Sequence, residues 1–156
     1  MQLISRSVKD TLSFGAILAK NLEAGDIVCL FGELGSGKTV LTKGIASGLG
    51  IRSAQVNSPS FVLLRQYSQG KIPLYHFDLY RLKTEKDILG LGYEEYLFDA
   101  GISVIEWADR LKYLLPDEFL KIELLINQGQ NRQIKLIAFG SRYKKILEKI
   151  HENSSH

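Results

Sequence analysis

Residues 27–31, Ile-Val-Cys-Leu-Phe, form an unbroken apolar run. Such a run predicts a strand buried on both faces. The pattern then changes period: apolar side chains at Leu41, Ile45 and Leu49 are four apart, which predicts a helix, with Gly50 as its C-terminal stop. Upstream, residues 10–19 read as a helix capped by Ser7 or Asp10, with Leu12, Ala16 and Ala19 along one side. Downstream, residues 61–67 and 72–77 read as two strands. Gln69-Gly70-Lys71 suggests a hairpin between them, and Pro73 confines the second to a sheet edge or to its own first residue. Residues 84–98 predict one or two short helices broken near Gly90 and Gly92. A second buried strand is expected at 102–106, a helix from 107 to 115 ended by Pro116, and two alternating strands at 119–126 and 133–139 around a turn at Gly129. Ser141 caps a last helix over 142–150.

Between the first buried run and its helix lie Gly32, Glu33, Leu34, Gly35, Ser36, Gly37, Lys38 and Thr39. They read G-x-x-x-x-G-K-T, the phosphate-cradling P-loop, in the strand–loop–helix setting the motif needs. With Gly at about 7% of average composition, a chain this long matches by chance on the order of once in a hundred or less. Small residues let backbone N–H groups point at a crowded set of negative charges, and the helix N-terminus adds a partial positive charge. Lys38 would reach the β- and γ-phosphates, and Thr39 would offer its hydroxyl to Mg²⁺.

Phosphoryl transfer also needs a carboxylate for the metal and a group to orient the attacking atom. Glu106, at the end of the strand 102–106, is the candidate metal carboxylate. If residues 76–81 are extended, His76, Asp78 and Tyr80 share one face and Phe77 and Leu79 the other. Spacing leaves two readings of that polar face, a site or a hydrogen-bonded strand end. Trp107, next to Glu106, reads equally as core or as a neighbour of the nucleotide.

The 156 residues, 45% hydrophobic and 24% charged, suit one compact domain, expected over residues 1–150 with a disordered tail at 151–156. No apolar run approaches the ~18 residues of a membrane span, and no basic-then-apolar leader opens the chain, so a cytoplasmic protein without membrane contact is expected. The single Cys29 lies in the apolar strand and reads as core. The net charge of +3 is uneven: residues 76–106 carry −4 and residues 132–149 carry +5. The basic end reads as a solvated helix face, a docking face or a weak RNA contact.

Four pieces, Gly-Glu-Leu-Gly-Ser-Gly-Lys-Thr from Gly32, Ser-Pro-Ser-Phe from Ser58, His-Phe-Asp-Leu-Tyr-Arg-Leu from His76 and Ile-Glu-Trp from Ile105, occur in an order and spacing that resemble the TsaE family. That family is the bacterial ATPase assisting N6-threonylcarbamoyladenosine formation on tRNA. The resemblance covers about residues 10–140. It implies a P-loop α/β fold, a mixed, largely parallel sheet flanked by helices. It also implies ATP and Mg²⁺ as cofactors, with Thr39 and Glu106 around the metal and Lys38 and Asp78 in catalysis. Asp78 would act on water or on the metal's outer shell. Val40 completes the phosphate loop; Ser60, where the family often has Thr, would be a switch-like element. Trp107 would lie by the nucleotide, and Thr11 and Arg132 match positions that appear to touch it. The family works with TsaD and TsaB partners and hydrolyses weakly alone, so tRNA would be met only through the complex.

Two other classes compete. A small-molecule P-loop kinase needs an acceptor pocket and an Arg-bearing lid, and no Arg cluster sits on a lid-like insertion. A non-hydrolysing nucleotide module is disfavoured by having both Asp78 and Glu106. A GTPase lacks support, because no Asn-Lys-x-Asp motif is present.

Overall fold

The structure is a computed structural model and describes residues 1–57, 63–97 and 100–155. One seven-stranded sheet organises it. The strands are β1 (Gln2–Ser5), β2 (Ile27–Phe31), β3 (Leu64–Tyr67), β4 (Leu74–Asp78), β5 (Ile102–Glu106), β6 (Phe119–Ile126) and β7 (Arg132–Phe139). They lie in the order β1-β7-β6-β2-β5-β4-β3. Strand β2 pairs in parallel with β5 and β6, and β5 in parallel with β4. The pairs β1–β7, β6–β7 and β3–β4 are antiparallel. The result is the mixed, largely parallel α/β sheet expected. Its central strands β2, β4 and β5 are buried almost throughout, which is why β2 reads as an unbroken apolar run.

Two helices place the phosphate loop. The helix α1 (Val8–Ala19) starts at Ser7, whose hydroxyl accepts from the Asp10 N–H, which selects Ser7 from the two predicted caps. The helix α2 (Lys38–Gly48) ends in two crossed bonds, Gly50 N–H to Ser47 O at 3.0 Å and Ile51 N–H to Ala46 O at 2.9 Å, with Gly50 at φ +85°. That is the left-handed stop only glycine takes readily. The stripe Leu12, Ala16 and Ala19 runs along α2, while Phe14 and Leu18 enter the core. The two helices touch backbone to backbone: a Cβ on Gly15 would sit 2.8 Å from the Gly44 main chain, and one on Gly48 would sit 2.7 Å from Ala16 O. Gly15→Val is therefore expected to destabilise the fold by about 1–3 kcal/mol, the range for forced overpacking. Thermal unfolding checks it, and an unchanged melting temperature would count against so tight a contact.

Short helices α3 (Glu85–Leu89) and α4 (Tyr93–Leu97) cover the other face, separated at Gly90 and Gly92 as the sequence predicts. With Phe77, Leu79, Ile105 and Leu111 they build a second apolar cluster, distinct from the one under α1 and α2.

Strand β1 and the end of the last helix correct the sequence expectation. Strand β1 was not predicted; it exists because it pairs with β7, far away in sequence. The helix expected over 107–115 is present at Ala108–Leu114 as 3₁₀ helix, with a break at Lys112 (φ 49°, ψ −119°). Of the two readings of Pro73 the strand start holds: it directly precedes β4, an interior strand, and the edge is β3. The last helix, α5 (Ser141–Ser154), continues past the predicted end at 150, so residues 151–154 are helical and not a disordered tail; Ser154 Oγ donates to Ile150 O in the final turn. The near end of α5 is pinned by Arg142, whose Nε and Nη2 donate to the Asp26 carboxylate at 3.1 and 2.7 Å.

Candidate functional site

The C-terminal ends of β2, β4 and β5 converge on the start of α2, where an open α/β sheet gathers its ligands. Between β2 and α2 the loop turns sharply. Gly37 caps α2 at φ +106°, and a Cβ on Gly32 would lie 2.5 Å from Ser36 Oγ and 2.7 Å from Leu124 O. Neither position accepts a side chain without distortion.

Lys38 opens α2 and is buried. Its Nζ donates to Gly32 O at 2.6 Å and Glu33 O at 2.9 Å, and lies 3.5 Å from Ser36 Oγ. It also sits 4.0 Å from the centre of the Trp107 ring, a cation–π contact. Burial pushes the Lys38 ammonium below its ordinary value, while Glu106, Asp78 and Asp109 oppose that shift. One turn-start later, Thr39 Oγ1 donates to Glu106 Oε1 at 2.8 Å. The other Glu106 oxygen is bonded by His76 Nε2. Asp78 is the register partner of Glu106 across β4 and β5, and its Oδ1 accepts the Tyr80 N–H at 3.0 Å. His76, Asp78 and Glu106 are all buried.

These groups border a cleft of about 480 Å³. Leu34, Gly35, Gly37, Lys38, Thr39, Val40, Asp78, Glu106 and Trp107 line it, each of them singled out from the sequence. Tyr80 and Arg81 line it too. Trp107 takes a left-handed backbone (φ 57°, ψ 42°), rare for a large side chain, and its ring packs on Tyr80 at 4.8 Å between centres. Such strain at a strand end persists because the contacts with Tyr80 and Lys38 hold it.

Of the predicted residues beyond the loop, two stand away from the cleft lining. Arg132, at the start of β7, grips the outside of the loop: Nε donates to Ser36 O at 3.1 Å and Nη2 to Gly35 O at 3.2 Å. Thr11 is buried in α1, with its hydroxyl 2.7 Å from Ser5 Oγ, and is not among the cleft residues. Ser60 and the loop 58–61 lie outside the described residues. Sequence reasoning left the bond between His76 and Glu106 unread; the polar spacing of His76 and Asp78 was its only signal.

The oxygen pair of Thr39 and Glu106 fits a hard cation such as Mg²⁺, which takes few protein oxygens and keeps several waters. No described helix is long and apolar enough to cross a membrane.

A glycine-rich loop between the first parallel strand and its helix, with Lys and Thr opening that helix and a carboxylate on the adjacent strand, defines a P-loop α/β protein. The family profile described as threonylcarbamoyl adenosine biosynthesis protein TsaE matches residues 5–134. The chain belongs to the TsaE family, whose role is in the biosynthesis of threonylcarbamoyladenosine in tRNA. It is 39% identical to the TsaE protein of Bacillus subtilis over 150 residues, 95% of this chain and 93% of the relative. It is 40% identical to that of Treponema pallidum over 134 residues, 86% of this chain and 98% of the relative. The crystal structure of Bacillus subtilis YdiB superposes with a TM-score of 0.87 at 32% identity, covering 99% of this chain and 95% of that one.

Proposed function

We propose that this chain is a Mg²⁺-dependent ATPase of the cytoplasm that acts on a TsaD–TsaB partner complex during tRNA threonylcarbamoylation. The observation that carries the reading is the junction of Thr39 with Glu106 beside Lys38 and Asp78 in one cleft. In this reading the backbone N–H groups of residues 32–40 cradle the phosphates, aided by the α2 N-terminus. Lys38 leaves the Gly32 and Glu33 carbonyls for the β- and γ-phosphates. Thr39 and Glu106 hold Mg²⁺, whose charge offsets that developing on the phosphate oxygens. Asp78, fixed by the Tyr80 N–H, accepts a hydrogen bond from the attacking water and orients it. Trp107 walls the cleft beside Lys38, and Arg132 braces the loop from behind. Ser60 senses the γ-phosphate and passes its loss to the partner, an order–disorder switch of a type P-loop proteins use.

Purified protein is assayed for ATP hydrolysis with and without TsaD and TsaB. Stimulation by the pair is expected; no hydrolysis in either case rejects the reading, and phosphate transfer to a small acceptor would favour a kinase. In the same format, GTP is expected to compete with labelled ATP only weakly, and equal displacement would remove the adenine preference.

A further inference from the structure

We infer that His76 is a positioning residue: its bond to Glu106 Oε2 sets the orientation in which Oε1 meets Thr39 and the metal. The inference rests on the reading of Glu106 as the Mg²⁺ carboxylate. Glutamate has three rotatable side-chain bonds, and a carboxylate offers lone pairs in several directions. A lone Glu at a strand end would spread over many arrangements. Here both oxygens are committed, Oε1 to Thr39 and Oε2 to His76. The carboxylate only accepts, so His76 Nε2 carries the hydrogen in that bond.

The sheet explains why a histidine stands there. In the parallel pairing of β4 with β5, Asp78 faces Glu106 and His76 faces Val104. His76 is thus one pleat behind the Asp78–Glu106 pair and on the same side of the sheet. From that place its ring reaches forward to Glu106. His76 is fully buried, at 0% exposure, so its ring is held by the surrounding side chains and not by bulk solvent. Its other nitrogen, Nδ1, is buried without a partner among the described residues. Residues placed as His76 is, one step removed from a metal, typically change its affinity 10–100-fold.

The single tryptophan, Trp107, supplies the readout, since it adjoins Glu106 and its ring lies on Lys38. A non-hydrolysable ATP analogue is titrated by fluorescence or calorimetry with and without Mg²⁺. The ratio of the two dissociation constants measures the metal's coupling to the site. His76→Asn places its amide too far back to reach Glu106, and is expected to lower that ratio about tenfold. His76→Gln puts an amide near the Nε2 position and should keep the ratio within about threefold of the native value. Thermal unfolding is followed in parallel, because a purely structural role would lower stability in both variants and leave the ratio alone. If His76→Asn does not fold, His76→Leu replaces it with the same expected drop. An unchanged ratio in the variant that lacks the bond overturns the inference and leaves Glu106 as the metal carboxylate. A native ratio near one overturns both.

Discussion

Lys38→Ala is expected to weaken ATP binding about 10- to 150-fold, equivalent to roughly 1.5–3 kcal/mol for a lost hydrogen bond to a charged group. Turnover should fall to background. The side chain is buried and already stripped of much of its hydration, so its charge acts in a medium that screens poorly. Removal also frees the carbonyls of Gly32 and Glu33, which lose their donor when no phosphate is bound. Two measurements separate these effects. Nucleotide titration reports the affinity, and thermal unfolding of the ligand-free protein reports the carbonyls. Native affinity in Lys38→Ala would remove the loop from nucleotide binding altogether.

Asp78→Asn should divide the parameters in another way. Asparagine keeps the oxygen that accepts the Tyr80 N–H, so the turn after β4 survives. What it loses is the charge that orients and accepts from water. Turnover with partners present is expected to fall about 10²- to 10⁴-fold, the usual contribution of a positioned base. ATP affinity should shift far less, because the interaction belongs to the transition state. Glu106→Gln should instead raise the Mg²⁺ requirement, since the Thr39 partner persists but the anion does not. Wild-type turnover in both variants would mean that neither carboxylate does what is assigned to it here.

The loop at 32–39 could be read from the sequence because its chemistry is local: eight consecutive residues, a buried run before them and a helical period after. Glu106 and Asp78 were legible for a related reason, each closing a run of buried strand residues. Their adjacency was not, since it follows from the placing of β4 beside β5, a choice made by packing between segments about 30 residues apart. The bond from His76 to Glu106 inherits that limit. Strand β1 escaped notice because four residues with a single buried serine carry too little periodicity. Its existence depends on the edge that β7 offers. Arg132 stands far from the phosphate loop in sequence, and the fold brings its guanidinium onto the loop carbonyls of Gly35 and Ser36. Nothing in a linear pattern says on which side of a loop a distant cation will stand.

That placement of Arg132 has a kinetic side. A glycine-rich loop left to itself samples many shapes, and a ligand arriving at it must wait for, or select, the right one. With the guanidinium fastened to two successive peptide oxygens, Gly35 O and Ser36 O, rotation of those peptide planes is hindered before any ligand arrives. The disorder that a docking triphosphate would otherwise take from those two peptides is then given up while the chain folds. Capture would still wait for Lys38 to leave the Gly32 and Glu33 carbonyls, so Arg132 removes one part of the rearrangement and Lys38 keeps the other.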